Sequence, residues 1–93
     1  MQFPDWVDDP KLTDTERASN RLRFMIADAG TKLTGRGTLR AVAKLANLDH
    51  STLAYAIKRG RCSAEVALKL EEAVGREYLR HEDLRNPLAI EAR

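Results

Sequence analysis

Between Thr38 and Lys58 the apolar residues recur twice at helical spacing, with only a few residues separating the two repeats. Leu39, Val42, Ala43 and Ala46 stand at i, i+3, i+4 and i+7, one face of a short helix that Thr38 can cap. Asn47 comes next, and because asparagine tolerates a positive φ better than other non-glycine residues, the chain is expected to turn there. Leu48, Asp49 and Leu53 then occupy N′, N-cap and N4 of a second helix, so that the leucines can staple the entry around an Asp cap. Small Ala43 suits a close approach of the two helices, and Leu53 with Ile57 locks one onto the other. Ser51, Ala54, Tyr55 and Lys58 fall on the opposite face, which is polar and aromatic.

The rest of the chain reads as helical too. Thr13 followed by Glu16 has capping-box spacing, and Leu22, Met25, Ile26 and Ala29 form an apolar stripe, which predicts a first helix over residues 14–29 closed by Gly30. Residues 31–37 hold two glycines and no apolar repeat, so a loop is expected, made basic by Lys32 and Arg36. Ser63 can cap a further helix with Val66, Ala67, Leu70, Ala73 and Val74 inward and Gly75 at its end. His81 to Arg85 could add a short turn, which Asn86-Pro87 halts. No strand-like alternation of useful length occurs, so the expected fold class is all-α.

Ninety-three residues suffice for one core and not for two. Residues 1–12, with Pro4 and Pro10, are expected to form a flexible acidic tail, and residues 13–93 a single domain. With aromatics at only 5%, that core must be built from Ala, Leu, Val and Ile. The net charge of +2 conceals a strong asymmetry. Residues 1–20 carry two basic against five acidic groups, residues 32–61 seven against one, and residues 62–93 five against seven. One basic segment between two acidic ones is the footprint of a polyanion-binding surface.

Other classes lack their parts. No apolar stretch approaches the roughly 20 residues of a membrane span, and the acidic start resembles no signal peptide, so a cytoplasmic location is expected, on the nucleoid when bound to DNA. A single cysteine, Cys62, excludes an intramolecular disulfide, and with only His50 and His81 beside it there is no metal-ligand spacing. No Ser-His-Asp or Cys-His set is suggested, and "GTKLTGRG" lacks the lysine-hydroxyl ending of a P-loop, so neither an enzyme nor a cofactor or small-molecule substrate is expected. Cys62 reads as a small buried thiol and His81 as a surface residue. Trp6 could fold back on the core or serve a partner.

The run Leu-Arg-Ala-Val-Ala-Lys-Leu-Ala-Asn-Leu-Asp-His-Ser-Thr-Leu-Ala-Tyr-Ala-Ile-Lys, residues 39–58, resembles the Cro-like repressors of temperate phages and the related YdaS-type bacterial proteins. The likeness extends through "SAEVALKLEEAVG" and "REYLRHEDLRNPL", covering about residues 21–88. It implies a compact four- to five-helix lambda-repressor-like bundle containing a helix-turn-helix, which binds a double-stranded DNA operator as a homodimer and regulates transcription. On this resemblance His50, Ser51, Ala54 and Tyr55, on the helix over residues 49–58, would face bases. Lys58, Arg59 and Arg61 would meet phosphates, together with Arg36, Thr38 and Arg40 before and at the start of the preceding helix. Asn47 stands where the family usually has glycine, and Leu39 where it tends to have a polar residue, which moves that backbone anchor to Thr38 or Arg40. The dimer contacts are expected from Leu84, Leu88 and Ile90, with Phe3, Trp6 and Val7 as the second choice. The competing class is a helical protein-binding module, such as an antitoxin or anti-repressor, which has no need of a basic third helix.

Overall fold

Five α-helices follow one another along residues 3–90, the part of the chain that the computed structural model describes. They are α1 (Asp14–Thr34), α2 (Leu39–Leu45), α3 (His50–Arg59), α4 (Ala64–Val74) and α5 (His81–Arg85), followed by a 3₁₀ turn at Pro87–Ala89. Among the described residues the fold is all-α. The outer ends of the expected tail and domain, residues 1–2 and 91–93, lie outside them.

Local chemistry sets most of the boundaries. The Glu16 N–H donates to Thr13 Oγ1 at 3.1 Å while the Thr13 N–H donates to Glu16 Oε1 at 3.0 Å, a complete capping box at the start of α1. Thr38 and Ser63 accept from the N–H groups of Ala41 and Val66 and so open α2 and α4. After α2, Asn47 takes φ 55°, and the Leu48 N–H reaches back to the Ala43 carbonyl at 2.8 Å. That bond ends the helix and aims the chain into α3. Asp49 is the N-cap of α3 by position, but its carboxylate bonds to none of the helix's N–H groups. Only its charge, beside the positive end of α3, favours the helix.

Helix α1 runs past the expected stop. Gly30 lies inside it, buried, and the left-handed C-cap is Gly35 at φ 78°. Packing explains glycine at position 30, because a Cβ there would stand 2.7 Å from Val42 Cγ2 and 2.8 Å from the Arg36 carbonyl oxygen. The bare Cα lets α2 and the loop before it close onto α1. In an exposed helix, Gly→Ala would stabilise by roughly 0.5–1 kcal/mol. Here the sign should reverse: Gly30→Ala is expected to cost about 1–3 kcal/mol by overpacking. Chemical denaturation will check this, and a rise in midpoint would show that α2 can yield.

Helix α1 is the central element, packed against α2, α3, α4 and the C-terminal 3₁₀ turn. Leu22, Met25, Ile26 and Ala29 meet Val42, Leu53, Ile57, Ala67, Leu70 and Leu84 in one core. The segment before α1 is not a loose tail. Val7 is fully buried, Asn20 donates to the Trp6 and Val7 carbonyls, and Phe3 and Trp6 stand edge-on to Phe24. Trp6 stays about half exposed against this cluster.

The expected dimer contacts need correction for the same reason. Leu84 and Val7 are fully buried within one chain, and Ile90 packs against the same core, so the fold uses them before any second copy could. Leu88 and Trp6 are the members of the two sets that stay exposed.

Candidate nucleic-acid interface

The ten residues of α3 divide cleanly by face. Leu53, Ala56 and Ile57 are buried against the core, while His50, Ser51, Thr52, Tyr55, Lys58 and Arg59 are exposed and Ala54 is half-buried. Tyr55 is 60% exposed, far more than a core tyrosine would be. The Arg59 guanidinium lies over its ring, 5.1 Å from the centroid, as expected for side chains one helical turn apart. This pairing orients Arg59 and leaves the tyrosine hydroxyl and its other face to a ligand.

Four shallow depressions adjoin α3, and three of them are lined by residues expected to meet DNA. Toward α2, His50 shares a notch with Arg40 and Lys44. Toward α4, Thr52, Tyr55 and Arg59 line a pocket with Ser63 and Val66. Toward α1, Ala54 and Lys58 form one wall of a trough whose other wall is α1. Arg61 follows Gly60 and is exposed. Thr38 is exposed at the start of α2, its oxygen accepting from Ala41, which leaves the hydroxyl hydrogen for an outside acceptor. Arg36 is exposed in the loop over Gly30 and, like Thr38, Ser51 and Arg61, lines none of the three depressions.

The basic residues differ in their partners, and of the ten described ones away from α3, five (Lys11, Arg23, Arg36, Arg80 and Arg85) form no ion pair. Arg17, Arg21, Lys32, Lys69 and Arg76 are each bound to a carboxylate. Among the described residues, Arg40, Lys44, Lys58, Arg59 and Arg61, which cluster around α3, form no ion pair. Their charge is uncompensated on one side of the molecule.

No family model, curated protein or solved structure matches the chain. Its reading therefore rests on the chemistry of its own surface. No helix among the described residues is long and apolar enough to cross a membrane.

Two other groups bear on chemistry elsewhere. Burial pushes the Cys62 thiol up to about 11, so it is almost entirely protonated near neutrality and a poor nucleophile. At the corner between α4 and α5, ligand-capable atoms of Glu71, His81 and Glu82 lie within 4.8 Å of one another. Arg76 Nη1 donates to Glu71 and Glu82 at 2.9 Å each, so a guanidinium already occupies the place a cation would take. His81, expected at the surface, is half-buried with Nδ1 2.8 Å from Glu71. The cluster ties α5 to α4.

That corner has a pH signature. The backbone N–H of His81, its side chain and Arg76 hold the Glu71 carboxyl below the ordinary value of 4.5. A carboxyl lowered on folding contributes stability that is fully present above its unfolded value and is lost as pH falls through its folded value. Denaturation midpoints measured from pH 6 downward should therefore fall below about pH 4.5, and Glu71→Gln should make that fall shallower. An unchanged acid limb in the variant would show that Glu71 is not among the groups responsible.

Proposed function

We propose that the chain is a sequence-specific double-stranded DNA-binding regulator of the Cro-like kind, which lays α3 in the major groove. The observation that supports this reading best is the concentration of unpaired basic residues around α3: among the described residues all five there lack a carboxylate partner, against five of the ten elsewhere. DNA phosphates supply the missing counter-charges. His50, Ser51, Ala54 and Tyr55 would read base edges, and Thr38, Arg40, Lys58, Arg59 and Arg61 would position the helix on the backbone. One helix of ten residues reads only a few base pairs, so two copies on an inverted repeat complete the proposal, with half-sites about 34 Å apart.

Selection of bound sequences from random duplexes, followed by anisotropy titrations over a range of salt, tests this directly. Arg59→Ala and Arg61→Ala should each flatten the plot of log affinity against log salt by about 0.9 unit without altering sequence preference. Tyr55→Ala and Ser51→Ala should change preference at particular base pairs, at about 1–3 kcal/mol per lost contact. Failure of the wild-type chain to show salt-dependent retention on duplex DNA would overturn the reading in favour of a protein-binding module.

A further inference from the structure

A helix about 10–12 Å across nearly fills a major groove about 12 Å wide, so a sugar–phosphate strand runs along each of its flanks. On the α4 flank of α3 the available cation is Arg59, lining the pocket with Ser63. On the opposite flank α3 does not stand alone. Thr15, Ser19 and Arg23 recur every fourth residue along α1 and line one trough with Ala54 and Lys58 of α3.

We propose that this trough seats one strand of the duplex, with Arg23 and Ser19 of α1 contacting its phosphates opposite Lys58. The inference rests on the DNA-binding reading above and extends the binding surface to a helix outside the helix-turn-helix.

Three observations carry it. Arg23 is exposed and, among the described residues, forms no ion pair, whereas Arg17 and Arg21 on the same helix are both bound to aspartates. Ala54 is small, so the trough stays open between the two helices. The end of α3 is also pressed directly on α1: a Cβ at Gly60 would lie 3.0 Å from Ala18 Cβ and 3.3 Å from the Thr15 carbonyl oxygen. The two walls are therefore fixed relative to each other, and a strand lying between them meets groups already in place. Glu16 also lines the trough, at the end nearer the start of α1. One of its carboxylate oxygens accepts from the Thr13 N–H at 3.0 Å, which holds its negative charge there and directs the strand to the Arg23 and Lys58 end.

The test uses the full chain and a fluorescein-labelled generic duplex, titrated by anisotropy at several sodium chloride concentrations. Circular dichroism and thermal melting establish that each variant is folded. Arg23→Ala should flatten the log affinity against log salt slope by about 0.9 unit, as one lost phosphate contact requires. Ser19→Asp, which puts a negative charge into the trough, should weaken binding several-fold. Arg80→Ala, an exposed arginine that lines none of the three depressions, should leave the slope unchanged. Folded Arg23→Ala and Ser19→Asp that bind with the wild-type slope and affinity, while Arg59→Ala does not, would overturn the α1 contact alone. A wild-type chain with no salt-dependent affinity for duplex would overturn both this contact and the reading beneath it. So would preference for single-stranded RNA of the same length.

Discussion

Replacement of Arg21 by methionine should lower the stability by about 3–5 kcal/mol, the range for breaking a buried ion pair by removing one partner. Arg21 is 7% exposed and ties both ends of the chain to α1. Its Nε and Nη2 donate to the two Asp8 carboxylate oxygens at 2.8 and 3.0 Å, while Nη1 donates to the Pro87 and Ile90 carbonyls at 2.9 and 2.8 Å. The guanidinium also lies 4.7 Å from the centre of the Phe3 ring. Methionine keeps the stem and its packing but leaves two carbonyls and a carboxylate without a donor. Because the Asp8 side chain is 23% exposed and can be partly rehydrated, the loss should fall toward the lower end of the range. Asp8→Asn should cost less, since Arg21 keeps its two carbonyls. Denaturant titration measures both, and limited proteolysis should show the segments around Asp8 and Ile90 becoming cleavable together. A loss below about 1 kcal/mol for Arg21→Met, no more than an ordinary hydrogen bond, would show that the two ends are held by apolar packing alone.

This tie was illegible in the sequence because its carbonyl partners lie 66 and 69 residues away and Asp8 lies 13 away, outside the helix, and nothing local marks Arg21 out from Arg17 or Arg23. The same limit explains why Leu84 and Val7 stood among the expected dimer contacts. Leu84 and Val7 look surplus when the core is assembled from helical stripes, yet both fill space that only the folded chain creates. What could be read was local: the capping box at Thr13, the left-handed residue at Asn47, and the two faces of α3, each set by neighbours within one or two turns. Gly30 shows where local reading fails. Glycine after an apolar stripe is an ordinary helix stop, but here the absent Cβ serves the approach of α2, and α1 continues to Thr34. The candidate site divides in the same way. Its α3 face follows from periodicity, whereas the trough with Thr15, Ser19 and Arg23 depends on how α1 crosses α3. The four-residue spacing of those three polar groups was visible, but without the crossing it marks only a solvated strip.

The division of α3 into two faces makes the other large prediction. Leu53→Ala should cost about 2–5 kcal/mol, because a fully buried leucine is truncated in a core where α1, α2 and α4 all meet it or its neighbours. Tyr55→Ala, two residues on, should change stability by no more than about 0.5 kcal/mol, since a side chain 60% exposed leaves no cavity. Their effects on duplex binding should run the other way. Where both variants are more than nine-tenths folded, Leu53→Ala should bind nearly as the wild type does, because its outward face is intact. Tyr55→Ala should lose base preference, because it removes the exposed ring of that face and the surface on which the Arg59 guanidinium is stacked. Equilibrium unfolding and anisotropy on the same preparations separate the two. A Leu53→Ala variant of wild-type stability would mean that α3 is not held through this residue. A Tyr55→Ala variant as unstable as Leu53→Ala would turn the helix over, placing the tyrosine inside and removing the assignment of bases to His50, Ser51, Ala54 and Tyr55.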